Sequence, residues 1–241
     1  MRLKAWGDTD VGLKRSINQD SILIDPKLGL YVVADGMGGH KGGEVASAIA
    51  VETAQEILKK DLQRQGFIPR DAIQRIYREA SARIHHMSAV QNPELAGMGT
   101  TMVLVFYYHG SIYIGNVGDS RCYMFHNFNL WQLTEDHSLV NEQLRAGVIQ
   151  EEDVGLIVGR NVITRSVGFE KEVRVDVFQR DVQPGESLLL CSDGLSGMVK
   201  DEVIVDICRN SQGKELVKRC IDAAKRAGGD DNISVIYIQS E

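Results

Sequence analysis

Four aspartates stand at the ends of apolar runs, each beside a glycine or a small polar residue. Asp35 closes LYVVAD before Gly36, Asp119 closes SIYIGNVGD before Ser120, Asp193 closes LLLCSD before Gly194, and Asp231 opens DNISVIYI. Strand-like segments far apart in sequence, with carboxylates at their ends, gather negative charge at one sheet edge. Clustered carboxylates repel one another, so the cluster implies cations. Oxygen donors without Cys or His at ligand spacing suit hard divalent ions, Mg²⁺ or Mn²⁺, rather than zinc. A single Asp-Gly is ordinarily a turn; four such sites at the ends of apolar runs favour ligands and a metal-dependent enzyme.

The elements that must carry these residues come in blocks. Apolar residues recur at helical spacing in Gly43–Leu62 and in Asp71–Met87, predicting two successive amphipathic helices. Strands follow at Thr101–Tyr108, Ser111–Val117, Arg121–Phe125 and Leu130–Leu133, with turns at His109-Gly110 and His126–Asn129, which reads as antiparallel sheet. A second helix pair, Asp201–Arg209 and Lys214–Ala227, ends at Gly228-Gly229 before the strand Ile233–Ile238. Helix pairs separated from strand blocks give an α+β class, with helices covering antiparallel sheets. Gln63–Arg70 is the best candidate for a break, but it is short and lies between two helical patterns, so one domain over 1–241 is expected.

Composition narrows the function. With 43% hydrophobic residues in 241, a substantial core is available. A formal net charge of −6 argues against nucleic acid as the main partner. The N-terminal MRLKAWGDTDVG lacks the apolar stretch of a signal peptide and no run approaches membrane-spanning length, so a cytoplasmic protein with no membrane association is expected. Cys122, Cys191, Cys208 and Cys220 show no paired metal spacing and read as reduced thiols, three of them in apolar patterns. The glycines of Gly36–Gly43 lack a Gly-Lys-Ser/Thr ending, so nucleotide binding is unsupported. His85, His86, His109 and His126 carry no visible chemistry. Asp136 or Ser138 is a candidate helix cap, and Arg121 either pairs with a carboxylate at the site edge or makes an ordinary surface salt bridge.

Eight fragments occur in order: Gly12-x-x-Arg15-x-x-Asn18-Gln19-Asp20, Asp35-Gly36-Met37-Gly38-Gly39-His40, Gly99-Thr100-Thr101, Val117-Gly118-Asp119-Ser120-Arg121, Asp136-His137-Ser138, Asn161-Val162-Ile163-Thr164-Arg165, Ser192-Asp193-Gly194 and Gly229-Asp230-Asp231-Asn232. Together they resemble the bacterial branch of the metal-dependent Ser/Thr protein phosphatases, type 2C. The resemblance runs from near residue 7 to residue 238 and implies a four-layer α/β/β/α sandwich, two antiparallel sheets flanked by helix pairs. It implies that Asp35 bridges two Mg²⁺ or Mn²⁺ ions and that the Gly36 carbonyl binds one. Asp193 and Asp231 would hold the second ion, with Asp20 contributing directly or through water, and Asp119 with Asp193 matches a third, weaker site. Asp119 has a structural alternative in closing a hairpin.

The same resemblance implies phosphoserine and phosphothreonine hydrolysis in proteins by a metal-activated water, opposing a bacterial Ser/Thr kinase. Arg15 would clamp the phosphate, and His40 would protonate the leaving oxygen. His137–Arg160 corresponds to a flap, about 137–160, where VGLIVG departs from the common pattern. A monomer acting on phosphoprotein substrates is expected. The alternatives are a hydrolase of small phosphate esters and an inactive regulatory module of the same fold.

Overall fold

The computed structural model describes residues 3–38, 42–150, 152 and 162–240. His40 and most of the flap's second half lie outside the described residues. In chain order the elements are β1 (Leu3–Asp10), β2 (Asp20–Asp25), β3 (Leu30–Met37), α1 (Gly43–Asp61), α2 (Pro69–His86), β4 (Gly99–Thr100), β5 (Met102–Tyr108), β6 (Ser111–Val117), β7 (Arg121–His126), β8 (Asn129–Gln132), α3 (Leu139–Arg145), β9 (Asp176–Asp181), β10 (Ser187–Cys191), the one-turn α4 (Asp193–Ser196), α5 (Asp201–Asn210), α6 (Gly213–Arg226) and β11 (Ile233–Ser240).

They build two sheets. One has the order β1-β11-β10-β7-β8; the other runs β2-β3-β5-β6-β9, with β4 paired to the end of β3. All ladder pairs are antiparallel. The apolar runs are continuous rather than alternating because these strands are buried on both faces. Along β3, Leu30, Val32 and Ala34 pack under α1 and α2, while Tyr31 and Val33 face the other sheet. Along β10 and β11, Leu189, Cys191, Val235 and Tyr237 pack with residues of α5 and α6, while Leu188, Leu190, Ile236 and Ile238 fill the space between the sheets. The layers are therefore helix, sheet, sheet, helix, as the resemblance implied.

One expectation needs correcting. The four central strands read as a run of antiparallel sheet, yet β5 and β6 pair in one sheet while β7 and β8 pair in the other. The chain changes sheets at Gly118–Ser120, because β7 takes β10 as its second neighbour. Both hairpins keep the expected turns: His109 and Gly110 (φ 50° and 89°), and Asn127 and Phe128 (φ 47° and 62°), lie in the left-handed region that two-residue hairpins require. The Phe128 carbonyl accepts a hydrogen bond from Arg209 Nη2 at 2.8 Å, whose guanidinium sits 5.7 Å from the ring centroid. All four cysteines are buried and free.

Candidate metal centre and phosphate site

The predicted aspartates meet at one end of the seam between the sheets. Asp20 and Asp35 are directly opposed in the β2–β3 ladder, where like charges oppose one another at close range. Asp193 opens α4 just beyond β10, rather than ending the strand, and Asp231 lies two residues before β11, the partner of β10. Asp119 sits on the sheet-changing corner, so its hairpin-closing alternative does not hold. Asp35, Gly36, Asp119, Asp193 and Asp231 line one cavity of about 480 Å³, with Arg15 also on its wall. Asp20 stands behind them, 8% exposed.

Without cations this end of the molecule disfavours ionised carboxylates. Burial, then the charges of Asp20, Asp193, Asp119 and Asp231, hold the Asp35 carboxyl well above the usual carboxylate range. Burial raises Asp20 to about 6, against hydrogen bonds from Ser234 and Ser192 that favour its charged form. Asp119 is pushed up to about 7 by burial and then by Asp193 and Asp136, and Asp193 is raised by burial and then by Asp231. Asp20 Oδ1 and Asp193 Oδ1 are buried with no hydrogen-bond partner, which native interiors rarely tolerate. Divalent cations would relieve both the mutual repulsion and the orphaned oxygens, and the all-oxygen donor set fits Mg²⁺ or Mn²⁺. Among the described residues no three candidate ligand groups form a ready-made cage.

Arg15 reaches the cavity from the loop after β1, with its Nη2 donating to Asp231 Oδ2 at 2.7 Å and its side chain 51% exposed. Asn232 fixes that loop. Its Nδ2 donates to the carbonyls of Val11 and Ile17, both at 3.0 Å, and its Oδ1 accepts from the Gln19 N–H at 2.8 Å. In sequence Asn232 marks only a motif, since its partners lie more than 200 positions away. Asp35 is fixed through its backbone: its N–H donates to Thr101 Oγ1, and its carbonyl accepts from the Thr101 N–H and from Thr100 Oγ1. Ser192 Oγ donates to Asp20 Oδ2 at 2.8 Å.

Two glycines at the site are required by close backbone packing. A Cβ on Gly36 would lie 2.0 Å from the Gly43 carbonyl oxygen and 2.6 Å from that of Gln19, so the start of α1 packs directly on this backbone. A Cβ on Gly194 would lie 1.9 Å from the Asn232 carbonyl oxygen, which is how α4 and the β11 entry come together. Close packing therefore requires glycine at Gly36 whether or not an ion approaches its carbonyl. At the edge of the site Arg121 Nε and Nη2 grip Asp136 at 2.7–3.0 Å, and Ser138 caps α3 by accepting from the Asn141 N–H.

Residues 14–223 match the family model of protein phosphatase 2C. The chain belongs to the protein phosphatase 2C family. It is 38% identical over 214 residues, 87% of this chain and 84% of the relative, to the serine/threonine phosphatase stp of Listeria welshimeri serovar 6b. Its fold is similar to the crystal structure of the Mycobacterium tuberculosis serine/threonine phosphatase PstP/Ppp, with a TM-score of 0.92, 30% identity and full coverage of both chains. It is likewise similar to the catalytic domain of PstP in complex with two manganese ions, with a TM-score of 0.88 and 31% identity over 98% of this chain and 97% of the other. As a protein phosphatase 2C member, the chain is a metal-dependent protein phosphatase with a Mg²⁺ or Mn²⁺ requirement.

Proposed function

We propose that this cavity hydrolyses phosphoserine and phosphothreonine in proteins, with two Mg²⁺ or Mn²⁺ ions and a third held more weakly, and that the enzyme opposes a Ser/Thr kinase. The observation that carries the reading is the convergence of Asp35, Asp119, Asp193 and Asp231 on one cavity with Asp20 buried behind them, buried oxygens lacking partners, and a guanidinium on the wall. Asp35 and the Gly36 carbonyl would hold ions, Asp193, Asp231 and Asp20 would complete a second site, and Asp119 with Asp193 would hold the third. Bound ions supply an activated water and neutralise charge developing on the phosphoryl group.

The chain's own groups do the rest. Arg15, paired with Asp231 in this structure, would exchange that partner for the phosphate oxygens, to which it presents its planar donors. Asn232 keeps the Arg15 loop in place while this exchange occurs. His40 delivers the proton that a serine or threonine alkoxide needs in order to leave. Residues 1–241 act as one phosphatase domain, monomeric and cytoplasmic. No helix among the described residues is long and apolar enough to cross a membrane.

The test is phosphate release from a phosphothreonine peptide with Mn²⁺, with Mg²⁺, and with excess chelator. Release that requires metal and vanishes with chelator supports the reading. Turnover of a free phosphomonoester but not of phosphopeptides would move it to a small-ester hydrolase, and folded, Mn²⁺-binding but inert protein to a regulatory module. Asp193→Asn removes a ligand anion while keeping the side chain's shape, so a loss of several orders of magnitude in kcat with an unchanged fold is expected, and near-normal turnover would refute the assignment.

A further inference from the structure

In sequence His137 is the middle residue of the Asp136-His137-Ser138 fragment, with no role assigned to it. In the fold it is 7% exposed, and its polar groups bind the corner that carries Asp119, the stem that returns from the flap, and β9. Its Nδ1 accepts the Gly118 N–H at 3.1 Å, and its own N–H donates to the Gly118 carbonyl at 3.0 Å, closing a ring with the residue just before Asp119. Gly118 has φ +101°, and a Cβ there would sit 2.5 Å from Thr101 Cβ. A left-handed corner of this kind has little preference of its own to hold it, and these two bonds supply the restraint.

The same residue joins the flap's two stems. The His137 carbonyl accepts the Thr164 N–H at 2.8 Å, and nearby the Leu139 N–H donates to the Val162 carbonyl at 2.9 Å. The ring is oriented from β9: Nε2 lies 3.1 Å from Asp176 Oδ2, and Arg165 Nη1 donates to Asp176 Oδ1 at 3.0 Å. Because Nδ1 accepts, the ring proton is on Nε2 and goes to Asp176. Arg165 Nη1, 3.1 Å from Nε2, then faces a donor and serves Asp176 instead.

We infer that His137 is a positioning residue for Asp119, fixing the Gly118 corner from the two stems at His137–Leu139 and Val162–Thr164 so that ion binding at Asp119 and the pairing of those stems are set together. This rests on Asp119 being an ion ligand. His137 lines neither the main cavity nor the smaller one beside Asp119, so it acts through Gly118 and not on substrate.

The test uses the full chain and Mn²⁺ alone. His137→Asn places an amide oxygen near the position of Nδ1 and keeps an acceptor for Gly118. His137→Gln reaches the position of Nε2 and leaves the Gly118 N–H without one. Calorimetric Mn²⁺ titration is expected to show the weakest site of the Gln variant loosened by about 10- to 100-fold, the range for lost orientation of a metal ligand. The tighter sites should be unchanged, and the Asn variant should stay close to the parent. Hydrogen exchange at the Gly118 amide in chelator should be fast in the Gln variant and slow in the Asn variant, a readout general destabilisation would not separate.

If the Gln variant does not fold, the Asn variant decides: loss of the weak site despite the retained acceptor overturns the inference, and retention supports it. Asp119→Asn separates the two levels. If Asp119→Asn loses the weak site and His137→Gln does not, the positioning role is wrong while the ligand reading stands. If Asp119→Asn leaves all Mn²⁺ binding unchanged, the ligand reading fails and the inference with it.

Discussion

Removing the cations should reverse the usual effect of mild alkali on stability. A carboxyl group that holds its proton more tightly when folded binds more protons in the folded state between its two pKa values, so stability falls as pH rises through that interval. Asp20 moves from 3.8 to about 6 and Asp119 from 3.8 to about 7, and Asp35 and Asp193 shift in the same direction. At about 1.4 kcal/mol for each tenfold change in proton affinity, Asp20 and Asp119 set ceilings of about 3 and about 4 kcal/mol. Relaxation of the cavity and water entry reduce these. The buried His137 opposes them, because burial lowers its pKa and its neutral form gains stability as pH rises through the histidine range. A net loss of about 2–3 kcal/mol between pH 4.5 and 7.5 is expected in chelator.

Saturating Mn²⁺ should restore about 2.7 kcal/mol at 100 times its dissociation constant. The effect should be strong at pH 7.5 and weak at pH 5, where the ligands are protonated. The assay is urea unfolding followed by the fluorescence of Trp6 and Trp131, the two tryptophans, with and without Mn²⁺. Trp6 stacks on Tyr237 at 6.0 Å and reports the β1–β11 pairing directly. A chelated protein whose stability rises from pH 4.5 to 7.5, with Mn²⁺ equally effective at pH 5, would refute the argument that these carboxylates are held neutral by their mutual burial.

Two further outcomes follow from particular residues. His40→Ala should slow phosphoserine substrates much more than aryl phosphates, since a phenolate leaves without a proton; equal losses in kcat on both would remove His40 from the acid role. Gly194→Ala must displace the Asn232 carbonyl, 1.9 Å from the added Cβ, so a destabilisation of about 2 kcal/mol or more is expected in urea unfolding together with weakened Mn²⁺ binding. A variant as stable as the parent would show that α4 and the β11 entry are free to separate.

Local pattern determined a great deal about this protein. The two helix pairs follow from apolar spacing, with α1 and α2 bounded by Gly43–Asp61 and Pro69–His86 against expectations of Gly43–Leu62 and Asp71–Met87. Uninterrupted runs such as LYVVA and LLLC signal strands buried on both faces, and aspartates at their ends mark where charge would gather. Edge strands were less legible: β1 and β9, LKAWGDTD and DVFQRD, are too polar to read as sheet because each pairs on one side only.

Tertiary structure alone decided which strands share a sheet, because a strand buried on both faces carries no record of its neighbour. The split after Val117, which turns Asp119 from a hairpin residue into part of the cavity wall, depends on β10 pairing with β7 across more than 60 residues. The supports of the site have the same origin. Ser192 with Asp20, Asn232 with the Arg15 loop, and His137 with Gly118 and Asp176 are contacts between distant segments. A side chain's type shows that it can donate or accept, and only the packed chain supplies its partner.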